Sequence, residues 1–378
     1  MISRRAWRPI RPLLLLIVGL RSAFVLNRPS YPFPEPHLSM SDELAGHMPA
    51  DVEEWNRLLR PYATPAAAAS LLQLTVTVGL LAAGFAGMLV LDSFVGYWAG
   101  LLLAVPTGLF LVRAFIIQHD CGHRSFFRQR WACDLVGRCL GVLTLTPYHW
   151  WKADHDWHHA SSGDLSRRGF GDIDTLTVRE YKALSLRRRF LYRLYRHPLV
   201  LFGIGPLYQF LVRHRLPLGL RKGTAKAVRS ILLTNLAIAA LLFCGGWFLG
   251  FGRFSALWLP VMAVAATVGV WMFFVQHQFE TTYWADSKGW SFVTAALKGC
   301  SYYRLPRPLE WLTGSIGYHH IHHLAARIPN YRLRRCFLEI PQLRHATAIT
   351  FRQSLSCARL ALWSEERQRL LSFREALA

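Results

Sequence analysis

Acidic residues are scarce in this chain: 22 Asp and Glu stand against 44 Lys and Arg among 378 residues, a net charge of +22. No Glu stands in the Glu-x-x-His spacing by which soluble helical bundles hold paired metals. Cysteine is sparse as well. The seven cysteines (Cys121, Cys133, Cys139, Cys244, Cys300, Cys336, Cys357) form no CxxC pair, so reduced thiols are expected. There is no internal repeat and no low-complexity linker.

Charge is also missing from four long apolar runs: Ala66–Leu91, Ser93–Val112, Ile231–Phe251 and Ser255–Gln276. Each holds about 20 or more uncharged residues, enough at about 1.5 Å per residue to cross roughly 30 Å of hydrocarbon. Core helices of soluble proteins rarely run so far without a charge.

The basic excess would elsewhere suggest nucleic acid. Its placement argues otherwise. Of the 44 Lys and Arg, 8 precede the first run, 20 lie between Gln118 and Ser230, and 14 follow the fourth. Only Arg113 and Arg253 fall elsewhere. If all four runs cross, this is the positive-inside rule, with both termini and the central loop cytoplasmic and no nucleic-acid partner.

The expected fold is an all-α integral membrane protein: four transmembrane helices in two hairpins, with a cytoplasmic helical cap. Residues 1–65 form an N-terminal cytoplasmic segment, and 66–340 the membrane domain. Its spans lie at about 66–91, 93–117, 231–251 and 255–276, with a cytoplasmic insertion at 118–230. Residues 341–378 are expected as a cytoplasmic tail. The hairpins should turn at Asp92–Phe94 and Gly250–Arg253. Two shorter apolar stretches, Cys139–Trp151 and Pro198–Val212, read as interfacial or re-entrant helices. Residues 1–39 carry Arg4, Arg5, Arg8, Arg11, Arg21 and Arg28 around a core, Pro12–Leu20, too short to span. Translation is expected to begin at Met40, which an intact mass would test.

Histidine is plentiful. Nine of the sixteen fall in order: His119 and His123 in HDCGH, His155, His158 and His159 in HDWHH, His319, His322 and His323 in HHIHH, and His277 in VQHQFE. Positions i, i+3 and i+4 of a helix share a face, so HxxxH should point two imidazoles one way and HxxHH three. A chance HxxHH is expected roughly 0.03 times in a shuffled chain of this composition, and here there are two. The hydropathy argument, which used no histidine, returns all four groups to one side.

Nine imidazoles are too many for one tetrahedral zinc and suit two metal ions with four or five nitrogens each. An all-nitrogen shell around two irons is the preferred reading. Asp120, Asp154, Asp156, Asp172, Asp174 and Glu280 are candidates to accept the outer ring N–H of a ligand, Asp120 and Asp156 foremost. His149 and His320 fall outside the frames. A zinc protease needs Glu where HDCGH has Asp, and leaves both HxxHH groups unexplained. A metal transporter would place ionisable ligands near mid-membrane, where these spans have almost none.

The segments QHDCGHRSFF, ADHDWHHASSGDL, FVQHQFETTYW and GYHHIHHLAARIPNYRL resemble the membrane fatty acid desaturase superfamily, over roughly residues 70–340. HxxxH in the first box is similar to acyl-lipid enzymes of the Δ12/ω-6 type, bacterial branch, rather than acyl-CoA Δ9 enzymes. The resemblance implies that His119, His123, His155, His158, His159, His319, His322 and His323 ligate two irons. His277 is placed like the extra ligand before the third box. Acyl-CoA relatives use an Asn near it, whereas here its neighbours are Gln276 and Gln278.

The implied activity is O2-dependent introduction of a cis double bond into a membrane-lipid acyl chain. The implied electron source is a separate ferredoxin or cytochrome b5, since no HPGG segment is present. Acyl hydroxylase or ketolase chemistry on the same scaffold is the alternative. Arg187, Arg188, Arg189, Arg193 and Arg196 form a basic stretch that suits either an acidic donor or anionic lipid. An excess of Arg (38) over Lys (6) points to a bacterial source, hence the inner membrane.

Overall fold

The structure is a computed structural model that describes residues 49, 51–169, 171–217 and 225–378. The expectations about residues 1–39 and Met40 lie outside the described residues. A short helix, α1 (Val52–Leu59), leads into a long antiparallel pair, α2 (Ala67–Phe94) and α3 (Tyr97–Gly122). Between the pairs come α4 (Arg130–Leu143), α5 (Tyr148–Ser161), α6 (Val178–Ala183), α7 (Leu186–Arg196) and α8 (Gly205–Leu211). The second long pair is α9 (Ala225–Leu249) and α10 (Phe251–His277). Then follow α11 (Phe292–Lys298), α12 (Arg307–Leu312), α13 (His319–Leu324), α14 (Asn330–Glu339), α15 (Phe351–Cys357) and α16 (Phe373–Leu377).

Among the described residues four helices, α2, α3, α9 and α10, are long and apolar enough to cross a membrane. Their boundaries differ from the sequence expectation. α2 continues through Asp92–Phe94, and the first turn falls at Val95–Gly96, where Gly96 has φ +115°. Asp92 and Ser93 stay helical because both side chains are used: Arg253 donates to the Asp92 carboxylate and to Ser93 Oγ, each at 2.5 Å. That link ties the two hairpin turns together. The second turn is Gly250 alone, at φ +81°, and Phe251 already opens α10. The third span begins at Ala225, earlier than Ile231.

α10 packs on α3. Their approach depends on Gly108, where an added Cβ would lie 2.7 Å from a methyl of Val264. With both turns at one end, the C-termini of α3 and α10 meet at the other, and these carry His119 and His277.

The apolar stretch Cys139–Trp151 is not one helix. α4 stops at Leu143, Leu145 adopts φ +54°, and Pro147 precedes α5. Pro198–Val212 likewise divides into a π-turn, Val200–Ile204, and α8.

The helical body carries short strands. β1 (Leu176–Thr177) runs parallel to β4 (Leu360–Ser364), which pairs antiparallel with β5 (Arg369–Ser372). β2 (Tyr302–Arg304) runs parallel to β3 (Ala348–Thr350). Buried Tyr192 of α7 donates to the Ala361 carbonyl at 2.7 Å. The C-terminal segment from 341, expected as a tail, is thereby folded onto the body.

Candidate metal centre

Nine imidazoles meet at the joined ends of α3 and α10. His119 and His123 come from the last turn and cap of α3, His155, His158 and His159 from α5, His277 from the last residue of α10, and His319, His322 and His323 from α13. They form two groups, His119, His123, His155, His159 and His322 in one and His158, His277, His319 and His323 in the other. Within each, one ring nitrogen per residue lies within 4.8 Å of all the others.

The HxxHH motifs do not point three rings one way. Each divides them: His155 and His159 face the first group and His158 the second, while His319 and His323 face the second and His322 the first. At about 100° per residue, i and i+4 lie roughly 40° apart, whereas i+3 and i+4 lie roughly 100° apart. One helix wedged between two sites therefore gives its i, i+4 pair to one and its i+3 ring to the other. Both members of HxxxH, His119 and His123, face the same group, as that spacing requires.

Several ring nitrogens approach each other closely. His155 Nε2 and His322 Nε2 lie 3.1 and 3.0 Å from His159 Nε2. His158 Nε2 and His319 Nε2 lie 3.1 and 2.9 Å from His277 Nε2. Two imidazole nitrogens bound at right angles, each about 2.1 Å from one metal ion, would stand about 3.0 Å apart. His123 Nε2 and His323 Nε2 are buried and have no hydrogen-bond partner among the described residues. The donor set, all nitrogen, suits first-row transition ions better than Mg or Ca.

Burial, followed by the neighbouring rings, holds His123, His155, His159, His319, His322 and His323 well below the usual imidazole range. Neutral rings at physiological pH are the state a metal needs.

Outer contacts orient three of the rings. His158 Nδ1 meets the Asp172 carboxylate in a short contact. His119 Nδ1 lies 3.4 Å from Asp120 Oδ1. His277 Nδ1 lies 3.7 Å from the buried Cys300 thiol, a neighbour the sequence reading did not single out. Asp156, expected to back a ligand, does not: it points outward from α5 and pairs with Lys152 at 2.7 Å, one turn away. Glu280 pairs with Arg369 instead.

The amides beside His277 are engaged elsewhere. Gln276 donates to the Ile316 carbonyl at 3.0 Å, and Gln278 accepts from Arg196 at 2.9 Å. Arg196 is buried and is no surface charge, whereas Arg193 stays exposed with its Nε donating to the Tyr181 hydroxyl at 2.7 Å. A narrow recess lined by Ile173, Phe273 and Trp284 opens beside His277 and Asp172.

The family model described as fatty acid desaturase matches residues 93–354. A Bacillus subtilis (strain 168) protein named fatty acid desaturase is 42% identical over 315 residues, covering 83% of this chain and 88% of its own. The sn-1 oleoyl-lipid 12-desaturase of Synechocystis sp. is 30% identical over 267 residues, 68% of this chain and 72% of that protein. The sn-1 acyl-lipid omega-3 desaturase (ferredoxin) of the same organism is 30% identical over 308 residues, 78% of each chain.

Proposed function

This chain belongs to the fatty acid desaturase family, whose members are oxidoreductases, and from that premise we propose that it places a cis double bond in the acyl chain of a membrane lipid. The observation that carries the reading is the pair of adjoining all-imidazole groups, the first partly and the second fully buried. Two irons held there would supply the O2-dependent redox chemistry that an unreactive methylene demands, with two electrons from a separate donor of ferredoxin or cytochrome b5 type. A ferredoxin named with the Synechocystis omega-3 relative supports that kind of donor. The acyl-lipid names of two relatives support a lipid substrate.

The chain's own residues have distinct tasks. His119, His123, His155, His159 and His322 would hold one ion, and His158, His277, His319 and His323 the other. Asp120 and Asp172 would accept from the outer Nδ1–H of His119 and His158, leaving the opposite nitrogen of each ring as the lone-pair donor. Phe273 packs against both His158 and His277, with ring centroids 5.1 and 5.2 Å apart. Together with Ile173 and Trp284 it forms an apolar wall beside the second group.

The distribution of Lys and Arg supports a catalytic end and both termini on the cytoplasmic side of the membrane. Expression in a host that lacks polyunsaturated lipids, followed by double-bond localisation in the extracted fatty acids, tests the activity. A new double bond is expected. Unchanged lipids count against the reading, and a hydroxylated or keto product would assign the sibling chemistry.

A further inference from the structure

We propose that Asn330 is a positioning residue for the five-imidazole site, acting through Asp120 on His119, and that Gln73 sets the direction of its amide. The inference rests on the metal-centre reading above. Asp120 is buried, with 1% of its surface exposed, and its Oδ2 accepts two N–H bonds from Asn330, from the backbone at 2.7 Å and from the side chain at 2.9 Å. Its Oδ1 is left to face His119 Nδ1. Among the described residues no Lys or Arg pairs with this carboxylate. A buried carboxylate without a cation needs hydrogen-bond donors to satisfy its oxygens. Asn330 supplies two, and as the first residue of a ten-residue helix it also brings the positive end of the α14 dipole.

An amide has one donating and one accepting end, so its direction matters. Gln73 Nε2 donates to Asn330 Oδ1 at 2.8 Å. That contact takes the accepting end and turns the NH2 toward Asp120. The reversed amide would set oxygen against oxygen in a buried site. Gln73 belongs to α2, the long helix of the first pair that contributes no histidine, so a span without ligands reaches the site through two side chains. The same junction is held separately by Tyr331, whose hydroxyl accepts from the Ala66 N–H at 2.9 Å and lies 3.1 Å from Ser70 Oγ. Altering the Asn330 amide therefore leaves the α2–α14 contact in place.

The test is cobalt(II) titration of metal-free, full-length protein in detergent, followed by visible absorption, for wild type, Asn330→Ala and Gln73→Met. Asp120→Asn and Asp172→Asn serve as reference variants. In Asn330→Ala, one of two binding steps should weaken about 10–100-fold, with a smaller loss in the same step for Gln73→Met. The Asn330→Ala effect should not add to that of Asp120→Asn, but should add to that of Asp172→Asn. Unchanged binding, or equal weakening of both steps as a general folding defect would give, overturns the inference. Wild-type protein that takes up no cobalt overturns the metal-centre reading itself and this inference with it.

Discussion

His159 and His323 stack face to face, with ring centroids 4.0 Å apart and planes 10° from parallel. They belong to different imidazole groups, so the two groups share a wall. A change at one site is therefore a packing change at the other.

Truncating either ring tests this. In His323→Ala the second group falls to three imidazoles and the first loses the face against which His159 rests. Metal per chain, measured by elemental mass spectrometry, should drop to one ion or fewer. Product formation should fall by roughly 100-fold or more. Full metal content in His323→Ala would show that this ring is no ligand.

Asp172 and Asp156 separate a carboxylate that meets a clustered imidazole from one that does not. Asp172 meets His158 Nδ1, while Asp156, half exposed, pairs with Lys152. Asp172→Asn should weaken metal binding about 10–100-fold. Asp156→Asn should change stability by less than about 0.5 kcal/mol and leave metal content intact, because exposed ion pairs contribute little.

Arg113 lies buried within α3. It donates to Thr77 Oγ1 at 3.2 Å and, in a short contact, to the Trp311 carbonyl, and its guanidinium sits 4.2 Å above the Trp311 ring. One planar fork thus joins α2, α3 and α12. Lysine cannot reproduce that geometry, so Arg113→Lys should lower unfolding free energy by about 2–3 kcal/mol, read from denaturant unfolding in detergent. A loss below about 0.5 kcal/mol would show that the clasp contributes nothing net.

His320 lies in HHIHH but outside both groups. Burial pushes its imidazole down to about 4, against about 6.5 in an unfolded chain. Between those values the unfolded chain binds a proton that the folded chain refuses. Its contribution is full above about pH 6.5 and fades as pH falls toward about 4, on the order of 3 kcal/mol in all. His320→Leu should flatten that part of the stability–pH curve. A variant as acid-sensitive as wild type would remove His320 as a cause.

The long helices were legible because span length and charge exclusion are properties of a segment by itself. Their turns were less so. Asp92 and Ser93 look like loop residues until Arg253, far along the chain, is seen to hold both side chains. Cys139–Trp151 reads as a single apolar run, yet the positive φ at Leu145 and the following proline divide it. Asp156 sits inside the second box yet pairs with Lys152, while Asp172, which meets His158, lies 14 residues from that ring. Asn330 and Gln73 carried no local signal at all, being separated by 257 residues.

Local sequence, then, decided how many helices could cross a membrane and which imidazoles share a helical turn, because both follow from spacing along one rigid element. Tertiary structure alone decided that each HxxHH would be divided between two sites. That assignment depends on what lies on either side of the helix. His277 faces His158, and His123 faces His155, only because α3 and α10 end side by side.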